Sequence, residues 1–121
     1  MKIYLATKYT DDNPINMELS YERINDVAAK LMLKGHVVFS PITHSHCLAK
    51  RLQNQTDRDF WLSQSIRFID WAQALVVFEP EECRESYGVQ REVEFAKQKN
   101  LPIYKACWKD YDIAMDYLEE A

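Results

Sequence analysis

The chain has 121 residues, of which 47% are hydrophobic and 28% charged, and its formal net charge is −4. This composition is that of a globular protein, so we expect one domain over residues 1–121. The negative charge argues against binding of a nucleic-acid polymer. No apolar run reaches the ~20 residues of a membrane helix, and the apolar start is too short for a signal peptide. Three widely spaced cysteines favour a reduced, cytoplasmic chain.

Short apolar runs separated by turn-forming residues predict four strands. The run at Ala74–Phe78 is the most apolar and is therefore predicted to be central. The predicted strands are Lys2–Ala6, His36–Ser40, Ala74–Phe78 and Leu101–Ala106.

Apolar residues at helical spacing predict four helices between and after these strands. The first is expected to end at Gly35, and Asp57 or Asp59 can cap the second. The predicted helices cover Met17–Leu33, a segment from Asp57 or Asp59 through Trp61, Leu62, Ile66 and Ile69, Ser86–Lys99, and Tyr111–Glu119. The intervening stretches Thr7–Ile15 and Glu79–Glu85 are predicted loops, and Ile42–Thr56 is predicted to be a loop that can contain a short helical turn.

Alternating strands and helices predict an α/β fold, a three-layer Rossmann-like or flavodoxin-like domain with a parallel sheet of four to five strands. Ligands of such sheets bind beyond the carboxyl ends of the strands, where the strand order reverses. We therefore expect the functional residues in the segments Thr7–Asn13, Pro41–Cys47 and Glu79–Ser86.

The helix that begins near Ser86 carries two glutamates in opposite predicted environments. At 100° per residue, Glu92 lies about 60° from Val89 and on the shoulder of the apolar stripe, whereas Glu94 lies about 140° away on the solvent side. A carboxylate forced toward the interior has either a cationic partner or a function, because an unpaired buried charge is costly. A salt bridge to a nearby Lys or Arg is the structural alternative.

Ser86 and Gly88 mark the start of the same helix. A serine is common as an N-cap without further function. A glycine in the first turn costs about 1 kcal/mol relative to alanine, which is understandable if a ligand approaches the backbone closely. With the helix N-terminus, these residues predict a site for an anion or a sugar hydroxyl.

Four motifs in this order resemble the nucleoside 2-deoxyribosyltransferase-like superfamily. They are the opening Tyr-Leu-Ala-Thr at 4–7, the segment Gly35–Pro41, the buried strand Val76–Phe78, and Ser86-x-Gly88-Val89-x-x-Glu92. The chain is most similar to small phage and bacterial members and to 2′-deoxynucleoside 5′-monophosphate N-glycosidases. The resemblance covers nearly the whole chain.

The resemblance implies that Glu92 is a nucleophile that attacks the anomeric carbon and releases the base. It implies a nucleotide or nucleoside as the small-molecule ligand, no cofactor, and a homodimer or higher homo-oligomer. Serine at position 86, where transferases carry aspartate, implies a 5′-monophosphate. The phosphate would also contact the backbone at Gly88 and the loop Thr7-Lys8-Tyr9.

The chain departs from the superfamily pattern at two places. The aspartate expected before the third strand falls near Ser65, with Asp59 and Asp70 on other turns, which puts leaving-group assistance in doubt. The C-terminal asparagine of the transferases is absent. A non-catalytic nucleotide-binding or sensing protein is therefore the main alternative, and a deoxyribosyltransferase is a third, disfavoured by Ser86. The base and the sugar remain open.

Several other residues are candidates for ligand contacts. His44-Ser45-His46-Cys47 is too crowded for one tetrahedral zinc ion, and we predict no metal site. His44 and His46 could instead touch base or phosphate from a loop. Tyr9 and Trp61 could stack on a base, although an aromatic at helical spacing is as often core, and Lys8 could neutralise a phosphate.

Overall fold

The structure is a computed structural model and describes residues 1–8, 13–52, 56–78 and 87–118. It contains five strands, β1 (Lys2–Ala6), β2 (Val37–Phe39), β3 (Ala74–Val77), β4 (Ile103–Lys109) and β5 (Asp112–Leu118). The helices are α1 (Pro14–Leu33), α2 (Pro41–Leu52), α3 (Arg58–Ser65), α4 (Arg67–Trp71) and α5 (Tyr87–Gln98).

The strands form one sheet in the order β2-β1-β3-β4-β5, in which β1 to β4 are parallel and β5 is antiparallel to β4. This is the flavodoxin-like order, in which the direction of winding reverses between β1 and β3. The predicted three-layer Rossmann-like α/β fold is thus confirmed. The reversal places the carboxyl ends of β1 and β3 side by side, where Phe78 N–H donates to Ala6 O at 2.9 Å.

Each face of the sheet is covered by its own apolar core, because alternate side chains of the strands point to opposite faces. On one face, buried residues of α1 (Ile24, Val27, Ala28, Leu31) pack on Ile3, Leu5, Val76, Phe78, Ala106 and Ile113. On the other, Tyr4, Ala6, Leu75, Val77 and Ile103 pack against Ile69 of α4, Ala72, and Val89 and Ala96 of α5. We call these the α1 face and the α5 face.

The predicted closing helix Tyr111–Glu119 is wrong, because residues 112–118 form β5. The segment contains helix-forming residues, but Ile113, Met115 and Tyr117 alternate, and Ile113 is buried on the α1 face. The strand is reached through a tight turn in which Asp110 has φ 58°, a conformation that Asp tolerates better than most residues. Long-range pairing with β4 therefore overrides local helix propensity.

The predicted loop Ile42–Thr56 is also wrong over most of its length, because Pro41–Leu52 is the helix α2. Pro41 opens the helix at a position where proline is favourable, and the Ser40 hydroxyl accepts from Thr43 N–H at 3.2 Å. The helix predicted through Ile69 begins after an Asp57 cap, as expected, but divides at Ile66 into α3 and α4. The fourth strand begins at Ile103 and continues to Lys109 rather than ending at Ala106.

Candidate functional site

Glu92 lies in the second turn of α5 and is 6% exposed. It is flanked on the buried side of the helix by Val89 and Ala96. The Glu94 side chain is 60% exposed and pairs with Arg91 at 3.4 Å. The predicted contrast between the two glutamates is confirmed, and only Glu92 is carried into the α5 face.

The hydroxyl of Tyr4, in the middle of β1, donates a hydrogen bond to Oε2 of Glu92. Tyr4 is itself fully buried among the side chains of the α5 face. Tyr4 was not among the residues predicted from the sequence to have a functional role. The available signal was a single hydroxyl within a short, otherwise apolar buried strand, since a buried tyrosine hydroxyl needs a polar partner.

Burial raises the pKa of Glu92 to about 8, and the hydrogen bond from Tyr4 acts in the opposite direction. The pKa of Tyr4 is raised well above its usual value, first by burial and then by the Glu92 charge and hydrogen bond. No cation of the described residues contributes to the environment of Glu92. The described part of the chain therefore does not provide the salt bridge that was the structural alternative for this carboxylate.

Ser65, at the end of α3, is the third polar residue of this cluster. It is buried, its hydroxyl donates to Trp61 O at 3.0 Å, and the proximity of this hydroxyl to Tyr4 lowers the pKa of the phenol. The position nearest the expected aspartate thus lies beside Tyr4, but it carries an alcohol. We call Tyr4, Ser65 and Glu92 the buried polar triad.

Asp59 and Asp70, which the sequence places on other turns, lie outside the buried polar triad. Asp70 pairs with Lys99 at 2.9 Å, and both side chains are nearly half exposed. Asp59 is exposed in the first turn of α3. Neither contributes to the pKa of Glu92.

Aromatic rings lie beside the buried polar triad. Phe39, the last residue of β2, has its ring centroid 5.8 Å from Tyr4 and stacks on Phe68 at 3.9 Å. The ring of His44 tilts against both phenylalanines, at 5.5 and 6.1 Å. Phe68 is 38% exposed, so part of this set is accessible to solvent. We call Phe39, His44 and Phe68 the aromatic wall.

Other predicted site residues lie around the carboxyl ends of the strands. Thr7 and Lys8 follow β1 directly and are half-buried, and Gly88 is the second residue of α5. Ser86 and Tyr9 lie outside the described residues. Trp61 is half-buried in α3, donates from Nε1 to Thr56 Oγ1 at 3.0 Å, and packs edge-on against Phe60.

The two histidines of α2 are directed to different surroundings, contrary to a shared loop site. His46 is 3% exposed, bonds to Glu18 Oε1 at 2.9 Å and stacks on Tyr21 at 4.0 Å. His44 instead packs against Phe39 as part of the aromatic wall. Within the described ranges, no group of three or more His, Cys, Asp or Glu is arranged to hold a metal ion.

An open groove of about 520 Å³ lies far from the triad, between α1 and the β4–β5 turn. It is lined by Asp26, Ala29, Lys30, Leu33, Trp108, Asp110 and Tyr111. No residue predicted to have a functional role lines it. The chemistry of the buried polar triad, not the size of this groove, therefore defines the candidate site.

The fold and site define a doubly wound α/β domain with a carboxyl group buried beside its topological switch point. The chain belongs to the family described as a domain of unknown function, DUF1937, whose model matches residues 1–107. No curated protein matches the chain significantly. The family description assigns no activity, so the N-glycosidase function stays a prediction. No helix in the described part of the chain is long and apolar enough to span a membrane.

Proposed function

We propose that this protein is an N-glycosidase that cleaves the base–sugar bond of a (deoxy)nucleoside 5′-monophosphate, with Glu92 as the nucleophile. The observation that carries the proposal is the burial of the Glu92 carboxyl against Tyr4, with no cation of the described residues contributing. Burying a carboxyl group in an apolar interior without a cationic partner lowers the stability of the fold. Perturbed carboxyls of this kind are concentrated at functional sites.

The reaction has two balanced steps. The ionised carboxylate of Glu92 adds to the anomeric carbon while the base leaves with the electron pair of the glycosidic bond and takes up one proton. Water then adds to the anomeric carbon of the glycosyl ester, which restores the carboxylate and releases one proton. The departing base requires a proton donor, for which the triad offers no second carboxylic acid.

Tyr4 and Ser65 position the nucleophile in this proposal. Tyr4 donates to Oε2, which leaves Oε1 of Glu92 as the attacking oxygen. Burial keeps the pKa of Tyr4 high, so the phenol remains a donor over the working pH range. Ser65 lies beside the phenol, and its own hydroxyl is fixed by the α3 backbone.

The aromatic wall supplies a surface for the base. Stacking on Phe68 suits any nucleobase, because aromatic faces attract one another without a fixed hydrogen-bond pattern. His44 at the edge of the wall offers a ring nitrogen that could contact an exocyclic group of the base. Ser86, Gly88, Thr7, Lys8 and Tyr9 would contact the sugar phosphate, as the resemblance to the nucleoside 2-deoxyribosyltransferase-like superfamily implies. No cofactor is required, and we expect a cytoplasmic homodimer or higher homo-oligomer.

Base release measures the activity directly. We expect the wild type to liberate free base, seen by chromatography, from at least one deoxynucleoside 5′-monophosphate. Glu92→Gln should abolish release, because the amide cannot form the ester. Glu94→Gln, two residues away on the exposed side of the same helix, is the matched control and should retain full activity. Release by Glu92→Gln at the wild-type rate would contradict the proposal.

A non-catalytic nucleotide-binding protein is the second candidate. It is favoured by the raised pKa of Glu92, about 8, since the carboxyl is then largely neutral at pH 7 and can donate a hydrogen bond to a ligand. Calorimetry on the wild type tests it. Nucleotide binding without release of base at pH 7 or at pH 9, where the carboxyl is ionised, would exclude the enzyme and support the binding protein.

A further inference from the structure

Arg58 and Tyr87 bring the starts of two helices together. Arg58 is the first residue of α3 and Tyr87 the first residue of α5. The guanidinium carbon of Arg58 lies 3.9 Å from the centroid of the Tyr87 ring, which is the geometry of a cation–π contact. This contact fixes the position of an exposed arginine at the end of the site where both helices begin.

The guanidinium of Arg58 has no carboxylate partner among the ion pairs of the described residues. The neighbouring Asp57 accepts from Phe60 N–H at 2.9 Å as the cap of α3. Arg91, the other cation near Tyr87, lies farther from the ring at 5.9 Å and pairs with Glu94. Within the described part of the chain, the contact of this guanidinium is with the face of the tyrosine ring, and the N–H donors at its edge can bind an anion.

The two helices run from this contact to the buried polar triad. Glu92 is five residues beyond Tyr87 and so about 7.5 Å further along α5, and Ser65 is seven residues beyond Arg58 and about 10.5 Å further along α3. Glu92 and Ser65 therefore approach Tyr4 at positions further along their helices than the Arg58–Tyr87 contact. A ligand with its reacting carbon at Glu92 and an anionic group one sugar away would place that anion at Arg58.

We propose that Arg58 binds the phosphate of a nucleoside 5′-monophosphate whose sugar lies at Glu92, and thereby selects the nucleotide over the nucleoside. The inference rests on the proposed function for its ligand, and it assigns phosphate recognition to a side chain of α3. An arginine suits this role because its planar fork of donors can bind two phosphate oxygens at once.

The test compares a nucleotide with its parent nucleoside. In Arg58→Gln, we expect KM for the deoxynucleoside 5′-monophosphate to rise about tenfold to a hundredfold, the range of lost hydrogen bonds to a charged group. Cleavage of the unphosphorylated deoxynucleoside should be unchanged. Arg91→Gln, which removes a cation already paired with Glu94, is the matched control and should change neither. Equal losses for both substrates would overturn the inference, because they indicate a structural role for Arg58.

Binding separates this inference from the proposed reaction. We expect Glu92→Gln to bind the 5′-monophosphate, and the double variant Glu92→Gln/Arg58→Gln to bind it at least tenfold more weakly by calorimetry. If the wild type releases no base but the affinity still depends on Arg58, the N-glycosidase fails and the phosphate site stands. If the affinity does not depend on Arg58, or no nucleotide binds, the phosphate site fails. Thermal melting confirms that each variant is folded.

Discussion

The two faces of the sheet bury titratable groups in different ways. On the α1 face, the buried His46 is hydrogen-bonded to Glu18, an exposed carboxylate that also pairs with Lys50. On the α5 face, the buried Glu92 is hydrogen-bonded to Tyr4, which is buried as well. His46 is thus hydrogen-bonded to a solvated charge, whereas Glu92 is hydrogen-bonded only to another group that resists ionisation.

Burial alone therefore does not mark a functional group. The α1 face also has the open groove with its exposed aromatic residues, yet its buried polar side chain has a charged partner at the surface. The α5 face concentrates a perturbed carboxyl, a buried hydroxyl and the aromatic wall within one region. We therefore expect substitutions on the α5 face to change chemistry and pH dependence, and substitutions on the α1 face to change stability alone.

The largest expected effect is on the pH dependence of stability through Glu92. The pKa of Glu92 rises from 4.5 to about 8 on folding. Between these two pH values, the folded state therefore holds a proton that the unfolded state has lost. Its contribution to stability is fully present below pH 4.5 and is lost as the pH rises through about 8. At about 1.4 kcal/mol per pH unit, the loss is on the order of 5 kcal/mol. Glu92→Gln should lack it, as urea unfolding at pH 5, 7 and 9 would measure.

Glu94→Gln serves as the control for this profile, because its carboxylate is exposed. The control should lose stability toward pH 9 in parallel with the wild type. Parallel curves for Glu92→Gln and the wild type would instead mean that the Glu92 carboxyl is ionised in the folded protein across this range. The contrast between the two faces would then not rest on this group.

A substitution in the α1 face should cost stability without changing the site. Leu31 is fully buried among the apolar side chains of that face. Leu31→Ala should lower the free energy of unfolding by about 2–5 kcal/mol, because it removes buried methyl groups and leaves a cavity. KM for the nucleotide, measured below the melting temperature, should remain that of the wild type. A changed pH profile of base release would show that the two faces are coupled.

Tyr4→Phe should change the chemistry of the site, with a smaller expected effect than the changes at Glu92 and Leu31. The hydrogen bond from Tyr4 lowers the pKa of Glu92, so its loss should move that pKa above about 8. The pH at which base release reaches half its maximum should rise, and release at pH 7 should fall about tenfold to a hundredfold. Ser65→Ala tests the same chain of contacts from the other side and should have a weaker effect. An unchanged pH midpoint in Tyr4→Phe would contradict the positioning role of Tyr4.

The sequence predicted the part of the site that periodicity controls. Glu92 and Glu94 could be distinguished because both lie on one helix, and the parallel β1–β3 core could be predicted from short apolar runs. The contact between Tyr4 and Glu92 could not, since it joins residues 88 positions apart. β5 was missed for a similar reason, because its pairing with β4 exists only in the folded chain. Local patterns thus identify elements and exposed faces, but not which side chains of different elements meet.

The smallest expected effect is at Asp70, which the sequence places on a different turn from the position of the expected aspartate. Its pair with Lys99 is nearly half exposed on both sides, so Asp70→Asn should change the free energy of unfolding by at most about 1 kcal/mol. Base release and its pH profile should remain unchanged, because Asp70 does not contribute to the environment of Glu92. A loss of base release in Asp70→Asn, with the fold intact, would instead identify Asp70 as the donor to the departing base. Full retention of base release would leave protonation of the departing base to a group other than this carboxylate.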